Sequence, residues 1–264
     1  MLRRLFHAWG IGAGRIKLVL TRDTWKQGEW LQGYIRVTGG SEPFQDVRVE
    51  LMMTLVTMRG REYTRTVLTF FEEQYMNLTK GEKSNFIFSY QIPETIAISS
   101  NHIMYSIRLH TLSGHEDVKL IDIVPNEPLR QVISSLYNLD FRRDPSFGFF
   151  DGCVQYFKFV PTGYFMRMLL SVSFLAVPNE HEIRLFMYIR DSKGKDLYHM
   201  SKFSHWEWNE MELLTERLRK EITDMCNEPD SYLNKVDWVE EGAIGSLAKS
   251  LFPEVKELSE WNVK

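Results

Sequence analysis

Cysteine is scarce: Cys153 and Cys226 are the only two in 264 residues. That excludes a disulfide framework, and their distance apart excludes the paired spacing of a structural zinc site. Two reduced, structural thiols are the expectation. Charge of either sign is also lacking in excess. The formal net charge is −3, so nothing draws the whole chain to polyanions, and pairs such as Arg142–Arg143 or Lys193 and Lys195 are too small for a nucleic-acid footprint. No apolar run reaches the length of a membrane span. There is no Gly-rich phosphate loop ending in Lys-Ser/Thr, no Gly-x-Ser-x-Gly elbow and no His-Glu-x-x-His pair. Gly10-Ile-Gly12-Ala-Gly14 lacks the preceding strand and following helix of a dinucleotide site, and reads as a loop into the first strand. No cofactor, metal or catalytic set is expected.

What is present is apolar patterning. Hydrophobic residues make up 44% and aromatics 13%, enough for a packed core. From Gly14 to Pro125 the dominant period is two. Val47, Val49, Leu51, Met53 and Leu55 share one face of a long strand, with Arg48, Glu50 and Thr54 on the other. A slip of one residue would bury those polar groups, so the register is well specified. Strands are likewise predicted around Ile16–Leu20, Tyr34–Thr38, Glu62–Gln74, Phe86–Ile92, Tyr105–His110 and Asp117–Val124, with turns at Lys26–Glu29, Thr79–Glu82 and Ser113–His115. Short alternating strands with no helical pattern between them define an antiparallel sandwich.

Five stretches carry a resemblance. Gly28-Glu-Trp-Leu-Gln-Gly33-Tyr-Ile-Arg-Val37-Thr-Gly39-Gly40 resembles the G-E-x-x-x-G-x-(V/I)-x-(V/I)-x-G-G signature of arrestin-type N-terminal domains. Leu2 to Ile16, Pro128 to Ile133, Leu139 to Arg142 and Gln155-Tyr-Phe157-Lys-Phe159-Val-Pro161 are similar to segments of bacterial sporulation-control proteins with an arrestin-like fold. The resemblance covers about residues 1 to 200 and includes no catalytic signature. It implies a bacterial cytoplasmic regulator that affects spore formation or cell-cycle events through protein contacts, with scaffolding at a membrane-associated complex as an extension.

The second half is less regular. Leu129, Val132, Ile133 and Leu136 form a helical stripe after Pro128, which reads as a connecting helix. Strands resume at Cys153–Val160, Leu169–Val177, Glu182–Arg190 and Leu197–Phe203, with weaker ones expected within Phe141–Phe150. After Ser204 the spacing of Met211, Leu214, Leu218, Ile222 and Met225 is helical, and a final stripe has Ile244, Leu247 and Leu251. The expected organisation is an arrestin-like N-terminal β-sandwich over 1–126, a connecting helix over 127–140, a second, smaller β-sandwich over 141–204 and C-terminal helices over 205–264. The fold class is mainly β, two antiparallel β-sandwiches joined by a short helix.

Candidate contact residues follow from exposed amphipathic patterns. Leu2, Leu5, Phe6 and Trp9 beside Arg3 and Arg4 have two readings: an anchor for a membrane surface or partner groove, or a segment packed on its own domain. The stretch is too short and Gly-broken for a signal peptide. Ile244, Leu247 and Leu251 carry the same pair of readings. Trp25, Trp30 and Tyr34, or Trp206 with Trp208, form candidate stacking platforms. His199 and His205 beside Glu207 are weighed as metal ligands and read as surface residues. The leading expectation is a non-enzymatic adaptor or regulator binding other cytoplasmic proteins, with peripheral membrane association and homodimerisation by strand-edge or helix contact left open. The alternative is a sandwich that binds carbohydrate or a small ligand.

Overall fold

The computed structural model describes residues 14–57, 60–150, 155–178 and 182–233. The chain forms two compact units, one of Met1–Pro93 with Met104–Val124 and one of Glu94–Ile103 with Pro125–Lys264. The predicted segments Leu2–Trp9 and Ile244–Leu251 lie outside the described residues.

In the first unit the strands are β1 (Arg15–Leu20), β2 (Thr24–Lys26), β3 (Trp30–Thr38), β4 (Phe44–Val56), β5 (Glu62–Met76), β6 (Lys83–Gln91), β7 (Ile103–His110) and β8 (Glu116–Val124). One sheet has the order β1-β3-β6 and the other β2-β8-β7-β4-β5. The alternating residues read from the sequence face inward: Leu31, Ile35 and Val37 from the first sheet, and Val47, Val49, Leu51, Met53 and Leu55 from the second, are all buried. Two sheets that each bury one face in this way make a sandwich. The pattern missed β2. Its three residues are too few to show a period, and it pairs parallel to β8, with Trp25 opposite Ile123.

The turns explain the Gly28–Gly40 signature. Gly28 takes φ of 80°, a left-handed conformation open to glycine at little cost. The Glu29 carboxylate accepts the Lys26 amide at 2.8 Å and pairs with Arg22 at 2.6 Å. That amide bond, followed by Arg22, holds the Glu29 carboxyl below its usual range. Thr79-Lys-Gly81-Glu82 repeats the device, with Glu82 accepting the Thr79 amide at 2.9 Å. Gly39 is needed for space: a Cβ there would sit 2.1 Å from the Thr79 carbonyl oxygen, so the end of β3 packs directly on the turn leading to β6.

The second unit contains α1 (Glu127–Asn138), β9 (Phe141–Arg143), β10 (Phe149–Phe150), β11 (Gln155–Pro161), β12 (Leu169–Pro178), β13 (Glu182–Asp191), β14 (Asp196–Ser204), α2 (His205–Asn209) and α3 (Met211–Asn227). Asn126 caps α1 by accepting the Leu129 amide, and Pro128 sits in the first turn. A single antiparallel sheet runs β10-β11-β12-β13-β14, with β9 also on the β11 edge. The weak strands expected within 141–150 are β9 and β10.

The mainly β architecture matches the strand pattern, and one layer differs. Ile183, Leu185, Met187 and Ile189 of β13 share a core with Leu129, Val132 and Leu136 of α1 and Leu214, Leu218 and Ile222 of α3. Among the described residues, the layer backing this sheet is therefore helical. The helix read as a connector and the helix after 204 are core elements of the second unit. Each has an apolar stripe that the sheet face buries.

Gln155 joins the sheet to the inserted segment 94–103. Its Oε1 accepts the Ile98 amide at 2.8 Å and its Nε2 donates to the Ile98 carbonyl at 2.9 Å. Nε2 also donates to the Gly148 carbonyl at 3.0 Å. The side chain is 7% exposed, so both backbone groups of Ile98 are satisfied in the interior by one amide.

Gly39→Ala tests the close approach in the first unit. The added methyl meets backbone, which cannot swing aside, and the expected loss is about 1–3 kcal/mol. Thermal or urea unfolding should show it as an earlier transition, and an unchanged transition contradicts the packing described.

Candidate functional site

Among the described residues no group of His, Cys, Asp or Glu is placed to hold a metal ion. His199 lies edge-on to Tyr232 and His205 against Trp208. Glu207 is occupied by its own helix start: it accepts the Ser204 amide at 2.8 Å and pairs with Arg217. Burial pushes its carboxyl up, and the Ser204 and Arg217 contacts outweigh that and leave it lowered. These side chains are capping and packing groups.

Other chemically suggestive pairs are also structural. Ser113 Oγ and His115 Nδ1 are 3.1 Å apart, but they belong to the β7–β8 turn, where the Thr111 hydroxyl accepts the His115 amide. Among the described residues no carboxylate orients this histidine, as a nucleophile–base pair would need. Glu50, buried on β4, pairs with Arg108 at 2.7 Å, and His110 lies 3.2 Å away. Compensation by a neighbouring guanidinium is what a buried carboxylate requires. On β13 and β14, the Tyr188 hydroxyl donates to Asp196 at 2.6 Å and Arg190 pairs with the same carboxylate at 2.9 Å. Arg190 leads the interactions that hold Asp196 below its usual range.

Two clefts border described residues. One of about 370 Å³ is lined by Glu42, Pro43, Gln45, Leu112 and Ser113. The other, about 210 Å³, includes Arg167, Asp191, Cys226 and Pro229 in its lining. Asp191 accepts the amides of Lys193 and Lys195 at 2.8 and 2.7 Å, which closes the β13–β14 turn. Burial, followed by the charge of Asp191, pushes the Cys226 thiol up to about 11. That is the reverse of what activates a nucleophilic cysteine.

The predicted contact residues divide. Leu2, Leu5, Phe6, Trp9, Ile244, Leu247 and Leu251 lie outside the described residues. Trp25 is corrected to a core residue: it is 1% exposed, because pairing with β8 turns its ring into the first unit. Trp30, on the outward face of β3, is 55% exposed. The platform of Trp25, Trp30 and Tyr34 thus loses its first member. Trp206 is exposed, whereas Trp208 packs on the core, so these two do not form a shared platform either.

Surface residues that the pattern did not single out stand out instead. Ile87 is 81% exposed on β6, and Leu120 is 76% exposed on β8 beside Val118 and Met104. Register places Leu120 opposite Ser106 and Val118 opposite Arg108, on the polar, outward face. The signal was there to find: both are aliphatic residues standing at polar positions of an alternating strand.

A sandwich entered through a glycine-rich turn signature, followed by a second mainly β unit, is an arrestin-like architecture. The same fold is seen in the crystal structure of Spo0M, a sporulation control protein from Bacillus subtilis. That structure matches with a TM-score of 0.64 and 20% identity, over 81% of this chain and 99% of that one. The family model of the SpoOM protein matches residues 2–193, and the chain belongs to the Spo0M family. In sequence it is 26% identical over 256 residues to the sporulation-control protein spo0M of Bacillus subtilis strain 168, covering 86% of this chain and 98% of the relative.

The raised thiol gives a direct check. In a Cys153→Ser background, Cys226 should react with a disulfide reagent at pH 8 at about a thousandth of the rate of a fully ionised thiol, and its rate should climb tenfold per pH unit until near 11. Rapid labelling at pH 7 contradicts the half-buried placement against the second core.

Proposed function

We propose that this chain is a non-enzymatic regulatory adaptor, acting in the cytoplasm through protein contacts in bacterial sporulation or cell-cycle control. Membership of a family named for sporulation control supports the process. The observation that carries the mode of action is the exposed aliphatic group of Met104, Val118 and Leu120 on an outward sheet face. Aliphatic side chains at polar strand positions gain nothing from water, and burying them against a partner recovers the transfer free energy. The reading includes homodimerisation as one form such a contact could take. No helix among the described residues is long and apolar enough to cross a membrane.

Val118→Glu/Leu120→Glu tests the proposal. Both positions are exposed, so folding should be unaffected, while affinity for a partner held there should fall at least tenfold. Tagged full-length chain and this variant would be used to capture proteins from sporulating and growing cells of its native host, with reciprocal capture to confirm each one. A partner recovered by the parent chain and lost by the variant is the expected result. Identical recoveries from the two chains, or turnover of a small molecule by the purified protein, would overturn it.

A further inference from the structure

The three strands β1, β3 and β6 contain no aspartate or glutamate at any position, in a chain that has 35 acidic residues. Their outward face is ordered in rows. Arg15, Thr38 and Lys83 stand side by side across the sheet, and the next row along is Lys17, Arg36 and Asn85. One pleat further comes an apolar row of Val19, Tyr34 and Ile87. Successive rows are about 7 Å apart, twice the rise per residue. Trp30 lies at the far end of β3 on the same face.

None of the four cations makes an ion pair among the described residues. On other strands, Arg48, Arg108, Arg184 and Arg190 each have a carboxylate within 3 Å. Of the carboxylates beside these strands, Glu29 and Glu82 are tied into turns by Lys26, Arg22 and Thr79, and Asp117 accepts the Leu18 amide of β1 at 3.0 Å and pairs with Lys119 at 3.1 Å. Arg36 leans toward the apolar row and donates to the Tyr34 hydroxyl at 2.8 Å.

We infer that this face is a docking surface for an anionic phospholipid bilayer. The positive charge is spread over all three strands in two adjacent rows, and neither cleft described above borders it. Ile87 projects from the sheet face, 81% exposed. A fluid layer of phosphate headgroups meets such a surface without shape complementarity, since cations near it gain from its negative potential and an aliphatic side chain can enter the interface. An acidic protein partner would share the charge preference, and the experiment separates the two. The inference goes beyond the adaptor reading and does not depend on it, because it concerns a different sheet.

The test is flotation of the full-length chain with phosphatidylcholine vesicles, with and without phosphatidylglycerol. Binding should require phosphatidylglycerol and weaken as salt rises. Each cation near the surface contributes about fivefold, so Lys17→Glu/Arg36→Glu should lower the partition coefficient by on the order of 25-fold or more. Lys17→Gln/Arg36→Gln, the milder pair, should lower it less and keeps the test valid if the charge reversal disturbs folding. Ile87→Ser should weaken binding a few-fold with little change in salt dependence. The inference is overturned if phosphatidylglycerol brings no binding, or if both charge variants bind like the parent. It is also overturned if only Leu5→Glu/Phe6→Glu abolishes binding, or if the chain binds polyglutamate and ignores vesicles.

Discussion

A single buried side chain, Gln155, stands where the chain's path would otherwise leave backbone unsatisfied. The segment 94–103 interrupts the first unit, running from after β6 to the first residue of β7, yet it belongs to the second unit. It carries an isolated β-bridge between Ser100 and Ile103. Ile98 enters the core cluster of the second unit, which takes its amide and carbonyl out of water. Gln155 answers both with one planar amide, and Ser100 adds a hydroxyl bond to the Gly148 carbonyl at 3.0 Å. A buried donor or acceptor left without a partner costs about 1–3 kcal/mol. Losing this amide would take that partner from both Ile98 groups, while the Gly148 carbonyl keeps the Ser100 hydroxyl, so the insertion depends on it.

The same logic runs through the other residues that carry the family resemblance. Gly28 supplies a left-handed turn, Glu29 closes it, and Gly39 lets a strand end lie against the Thr79 carbonyl. Phe157 and Phe159 of β11 fill the second core. These residues build the frame. The surfaces offered for contact, at Leu120 and at Ile87, lie on outward faces that such motifs do not describe.

Much of the frame is legible in the sequence, and the reasons are physical. Long strands with one buried face, such as β4, announce themselves by period and register. The stripe on α1 and the Pro128 near its start likewise fix a helix. Three features escape that logic. β2 is too short to have a period, which hid the burial of Trp25. The helical layer behind the second sheet depends on tertiary packing, since an apolar stripe gives a buried face without saying what covers it. The partnership of Gln155 with Ile98 joins residues 57 apart in the chain, and a polar residue at the head of a strand carries no sign of such a reach. For the candidate surfaces the hint was local: Ile87 and Leu120 break the alternation of their own strands.

The central claim is that the family-bearing residues hold the frame, with the Gln155 clamp as its clearest instance. Amide hydrogen exchange in Gln155→Ala, read peptide by peptide, tests it most directly. The account predicts that 94–103 is protected in the parent chain and loses that protection in the variant, while peptides covering β3 and β6 in the first unit exchange as before. Unchanged protection across 94–103 would contradict it.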